Sequence, residues 1–262
     1  MGPEAARALL LVGAGIVAGL CATVAGLASL VSYPVLLALG LSPLAANVTN
    51  TVSLVATGGG AALGSRPELS GQRHRLVRLG IAAAAGGSAG AVLLLTTPAV
   101  AFETVVPYLV AGASVLVLLA PVLTTRHRVR GVQRSAGAPV PAESRVPVLF
   151  AVAVVAFYGG YFGAAGGVMT LALLTAVLPD PLPRVNALKN VLAIAANGTA
   201  AIGFAFFGPV DWAAAIPLGL GFFIGGRLGP AVVRRVPATG LRVVIAVLGL
   251  ALAIHLWLAA PH

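Results

Sequence analysis

Apolar runs alternate with short polar breaks along the whole chain. They fall near 7–26, 28–41, 46–64, 76–95 and 102–123, and again near 147–166, 168–178, 186–207, 212–233 and 241–259. Most approach 20 residues, the length that carries a helix across a hydrocarbon core of about 30 Å at about 1.5 Å per residue. No run shows the strict alternation of an outer-membrane barrel strand. The pattern predicts an all-α polytopic membrane protein. In each set the second run has only 11 to 14 residues, which as a helix reaches about 17 to 21 Å. These are either re-entrant pieces or short spans packed inside protein, so the expectation is about eight full spans plus two short or broken helices.

The two sets correspond. An ungapped shift of 140 residues aligns Gly19 with Gly159, Gly26 with Gly166, Asn50 with Asn190, Gly58 with Gly198 and Gly86 with Gly226. This predicts two Gly-rich homologous halves, residues 1–123 and 147–262, joined by a polar, basic linker at 124–146 that is broken by Pro139 and Pro141. Equivalent loops carry opposite charge. Arg66, Arg73, Arg75 and Arg78 follow the third run of the first half, where the second half has only Asp211. Arg234, Arg235 and Arg242 occupy the second half's last loop, where the first half's counterpart has only Glu103. Such a switch is expected of inverted repeats, the second half entering the membrane upside down. With the termini extracytoplasmic, the basic loops and the central linker all fall in the cytoplasm, leaving Arg7 as the exception to the positive-inside rule.

Composition agrees with a membrane interior: 59% of residues are hydrophobic and 8% charged, and the mean hydropathy is +1.04. A formal charge of +10 reads as membrane orientation rather than nucleic-acid binding, because the basic residues sit between apolar runs. Cys21 is the only cysteine, which leaves no intrachain disulfide and no CxxC metal site. The N-terminal apolar run continues to about Leu30 behind a weak basic region, so it is expected to be an uncleaved span. Ala6 stands where a myristoylation signal needs Ser or Thr.

The candidate chemistry lies inside the spans. In VNALKNVLAIAANGT, Asn186, Lys189, Asn190 and Asn197 share one stripe of a helix within about 100°. In AANVTNTVSLVATGGG, Asn47, Asn50 and Thr57 repeat that stripe within about 80°. Two such seams would face each other across a pseudo-twofold axis. They either glue helices by hydrogen bonds or hold a ligand. Lys189 either faces that ligand or snorkels to the cytoplasmic headgroups. Gly26 and Gly166 mark Gly-rich segments before the short runs. They read either as tight packing or as helix breaks that expose anion-binding N–H groups. Arg227 could hold an anion through its guanidinium or reach the interface. Asp and Glu stay at or near span ends or in loops, so no buried carboxylate relay is visible. No GxxxxGK[ST] loop exists. Scattered histidines without mid-span carboxylates argue against a metal-dependent enzyme, and no metal, cofactor or catalytic residue is expected.

The Gly-rich break with its short helix, the Ala46-to-Asn50 element opening the next run, and its echo at Leu188-Lys189-Asn190 resemble the TauE/SafE family of sulfite and organosulfonate exporters. The resemblance spans essentially the whole chain. It implies export of a small sulfur-containing anion across a prokaryotic plasma membrane, with about eight spans in two repeats. On this reading Thr49, Asn50, Lys189 and Asn190 hold the substrate, and backbone N–H groups after Gly26 and Gly166 add donors. A coupling ion, H+ or Na+, is the remaining partner. A passive anion channel and a non-transporting scaffold are the alternatives.

Overall fold

The computed structural model describes residues 2–135 and 146–233, and helical backbone at 247, 250–254 and 256–258. Most of the expected run at 241–259, and the linker residues from 136 to 145, lie outside the described residues. Within them the chain is helical, without strands: α1 Pro3–Ala25, α2 Ala28–Ala38, α3 Pro43–Gly64, α4 Arg66–Leu69, α5 Arg73–Thr96, α6 Ala99–Ser135, α7 Val146–Tyr161, α8 Gly166–Val177, α9 Leu182–Phe207 and α10 Trp212–Val233. Five helices, α1, α5, α6, α9 and α10, are long and apolar enough to cross a membrane. α3 has the length, 22 residues, but Asn47, Thr49, Asn50, Thr51, Ser53 and Thr57 are all buried along it. It is a polar helix enclosed by protein.

Two boundaries differ from the sequence expectation. α6 runs on to Ser135, through the basic first part of the expected linker, which carries no proline until Pro139. α7 stops at Tyr161 rather than near 166, because Gly163 and Ala165 both adopt positive φ and end the helical path.

Contacts fix the direction of the helices. Gly15 packs on Gly221 and Gly19 on Gly225, so α1 and α10 run the same way. Ser53 donates to the Ala215 carbonyl and Gly64 packs on Pro230, so α3 runs with them. Gly86 and Gly90 meet Ala153 and Phe157, which makes α5 parallel to α7. Arg7 and Thr49 both bond Asp211, just past the end of α9. At the opposite end, Arg75 at the start of α5 pairs with Asp180, and Arg184 at the start of α9 donates to the Ser70 carbonyl. Hence α1, α3 and α10 start at the end where α9 finishes, and α5, α7 and α9 run in the opposite sense.

Since α1 and α3 are parallel, the short helix α2 carries the chain back toward the end where α1 began. Moreover, α1, α3 and α5 each oppose their counterparts 140 residues on, α7, α9 and α10, which is the inverted arrangement the loop charges predicted. The halves are interlocked rather than side by side. α1 and α3 pack on α10 of the other half, and α7 and α9 pack on α5. Glycine makes these seams possible: a Cβ at Gly19 would lie 2.8 Å from the Phe222 carbonyl oxygen, so only the smallest residue allows this backbone approach.

Candidate functional site

The site grows from two broken helices. At the end of α1, Gly26 takes φ 77°, its N–H bonds the Ala22 carbonyl, and the Leu27 N–H reaches back to Cys21. This is the left-handed stop that glycine permits. At the end of α7, Gly163 takes φ 79° and bonds Tyr158, and α8 begins directly after Ala165 at φ 58°. The breaks touch: a Cβ on Gly167 would lie 2.7 Å from the Gly26 Cα. Both chain reversals therefore occur inside the protein, against the first turns of α3 and α9.

Each break is held by the other half. Asn47 donates its amide to the Tyr161 carbonyl at 3.0 Å. Asn186 donates to the Thr23 carbonyl at 2.9 Å, and the Lys189 ammonium to the Ala22 carbonyl at 3.0 Å. Lys189, only 1% exposed, does not snorkel. Its charge lies at the carbonyl end of α1, where the helix dipole favours a cation.

Between the breaks lies a cavity of about 90 Å³, bordered by Gly26, Ser29, Thr57, Gly166, Gly167, Lys189, Asn190 and Asn197 among others. That is room for several waters or one small oxyanion. Among the described residues Lys189 is the only charged one on its wall, which carries no carboxylate. The Thr57 hydroxyl and the Asn190 amide nitrogen, in residues 5% exposed, have no hydrogen-bond partner. Buried polar atoms of this kind cost roughly 1 to 3 kcal/mol each when unpaired, so a bound ligand or water is expected to meet them. α2 and α8 both start at the cavity, neither with a side-chain cap, and although the Gly166 and Val168 N–H groups of α8 are turned back onto Gly163 and Ala165, the positive end of a helix dipole attracts anions. One ammonium, amide and hydroxyl donors and two helix N-termini converge where no negative charge among the described residues competes.

The structure brings together only some of the sequence-predicted residues. Gly26, Gly166, Thr57, Lys189, Asn190 and Asn197 line the cavity. Asn47 and Asn186 instead tie the breaks across the halves. Thr49 accepts the Asp211 N–H at 3.0 Å. Asn50 is bonded to Ser29 and Ser32 of α2 and stands back from the cavity. Arg227 is exposed on α10 and does not reach it. The serines are what the sequence reading missed. Their i, i+3 spacing on the short run is the available signal, and at the positions 140 residues on stand Met169 and Ala172. Asn190 therefore lacks the partners that satisfy Asn50.

A multi-pass helical bundle with discontinuous helices meeting at an internal polar cavity defines the membrane-transporter class. The family model described as "Sulfite exporter TauE/SafE" matches residues 11–256, and the chain belongs to that family. It is 26% identical over 253 residues to the probable membrane transporter protein ORF9 of Sinorhizobium sp, covering 95% of this chain and 92% of that protein. It is 31% identical over 223 residues to the probable membrane transporter protein YfcA of Escherichia coli strain K12, covering 82% of this chain and 77% of YfcA. No solved structure shows a significant match.

Proposed function

We propose that this protein is a secondary transporter that exports a small sulfur-containing oxyanion, sulfite or an organosulfonate, across the plasma membrane. The observation that carries this reading is the cavity in which Lys189, Asn190 and Thr57 converge on the starts of α2 and α8, with no carboxylate among the described residues of its wall. An oxyanion suits all of these groups at once: its oxygens accept from the ammonium, the carboxamide and the hydroxyl, and its charge faces the positive ends of two helix dipoles. The family's name gives the sulfur chemistry.

The end of the molecule that holds Arg66, Arg73, Arg75, Arg78 and Arg184 is the cytoplasmic one by the positive-inside rule. α6 returns the chain to that end, so the central linker is cytoplasmic and the N-terminus extracytoplasmic. Arg7, at the other end, is paired with Asp211 at 3.2 Å, which neutralises the one exception. The opposed directions of equivalent helices support an inverted duplication, and rocking one set of helices against the other gives each side access to the cavity in turn. The protein performs no covalent chemistry on its substrate.

The test is flux in proteoliposomes, with sulfite, sulfate, thiosulfate and small sulfonates and carboxylates as candidates. Saturable movement of at least one sulfur oxyanion, with counterflow against the same anion outside, is the expected result. Counterflow distinguishes a carrier from a passive channel. Failure of every anion to move removes the reading.

A further inference from the structure

We infer that Lys189 is a tethered counter-ion that occupies the place of a co-transported cation, so that export proceeds without Na+ and is driven by the membrane potential. This rests on the transport reading above and adds the coupling to it.

The broken end of α1 is the place to look for a coupling ion, because in secondary transporters the carbonyls freed at such an end bind the co-transported cation. Here the Thr23 carbonyl is taken by the Asn186 amide at 2.9 Å, and the Ala22 carbonyl, which already accepts the Gly26 N–H, also accepts from the Lys189 Nζ at 3.0 Å. The protein's own ammonium and a carboxamide thus occupy two of the carbonyl acceptors at the place where a Na+ ion would bind. Among the described residues the cavity wall carries no Asp or Glu to hold another cation, and no group of three or more His, Cys, Asp or Glu side chains gathers.

The same ammonium borders the substrate cavity. A bound monoanion therefore meets a positive charge that is already present and forms a pair of zero net charge. Lys189 stays with the protein and returns empty, so each turnover moves only the anion's own negative charge. A potential negative inside pushes that charge outward, and 100 mV supports roughly a fifty-fold outward gradient of a monoanion. The second break has no such device. Its carbonyl at Tyr161 accepts from neutral Asn47, and Thr49 stands at the position equivalent to Lys189.

Sulfite efflux from proteoliposomes tests this in the wild-type protein. Replacing all Na+ by choline is expected to leave the rate within about two-fold, and a valinomycin-imposed K+ potential, negative inside, is expected to accelerate efflux several-fold. Efflux that requires Na+, or that ignores the potential, overturns the inference while leaving the transport reading intact; absence of flux for any anion removes the transport reading itself. Lys189→Gln keeps a donor for the Ala22 carbonyl but removes the charge. It is expected to raise the half-saturating sulfite concentration by about ten-fold or more with thermal melting unchanged, whereas Lys189→Arg stays within about three-fold. A Gln variant as tight as wild type refutes the counter-ion role, and if that variant does not fold, the ion-replacement and potential measurements on the wild type decide.

Discussion

Asn50 and Asn190 hold equivalent positions in opposite surroundings. Asn50 is bonded to Ser29 and Ser32, whereas the Asn190 amide nitrogen is buried without a partner. Removing a satisfied buried group strands its partners and costs roughly 1 to 3 kcal/mol, while removing an unsatisfied one costs little. Asn50→Leu is therefore expected to lower unfolding stability in detergent by about that amount, and Asn190→Leu to leave it unchanged or raise it. Asp211 gives a third contrast. Its carboxylate caps the Ala214 N–H at the start of α10 and pairs with a half-exposed Arg7. Asp211→Ala is expected to cost about 1 kcal/mol in the same unfolding measurement, mostly through the lost cap, since exposed pairs contribute little. At this scale the sequence shows which residues are polar and which face they share. It does not show their partners, because Asn47 finds Tyr161 and Lys189 finds Ala22 across 114 and 167 residues.

The short helices are legible as elements because glycine marks where each begins. Gly26 is irreplaceable on two counts. Its φ of 77° strains any residue with a Cβ by roughly 1 to 2 kcal/mol, and a Cβ there would lie 2.6 Å from the Val168 nitrogen, in the backbone of the opposite break. Gly26→Ala is expected to lower the melting temperature sharply or abolish folded yield, as read by size exclusion and thermal unfolding. At Gly13, in the same helix α1, an added Cβ would meet nothing within 4 Å. Gly13→Ala is expected to be neutral or stabilising by up to about 1 kcal/mol, through helix propensity alone. The end of α7 escapes sequence reasoning because an apolar Gly/Ala run carries no polar punctuation at Tyr161, and Ala165 takes a left-handed conformation that its residue type does not advertise. Arg227 escapes it for a related reason: glycines occupy the faces of α10 toward both α1 and α3, so spacing does not reveal which side of the helix is the inner one.

At the scale of the molecule, loop charge carries the inverted topology, since Arg and Lys placement reports the membrane side directly. The interlocking of the halves is not legible, because backbone contacts between glycines on distant helices leave no periodic signal. The topology is checked by protease accessibility of a tag at the N-terminus and another inserted within 136–145; the first is expected to be cut only from outside and the second only from inside. The central claim is that the cavity between the breaks is where the anion passes. Its most direct measurement is sulfite efflux from proteoliposomes containing Asn190→Leu protein matched to wild type in amount and melting temperature. Efflux about ten-fold or more slower than wild type is the expected result, and efflux at the wild-type rate would contradict the account.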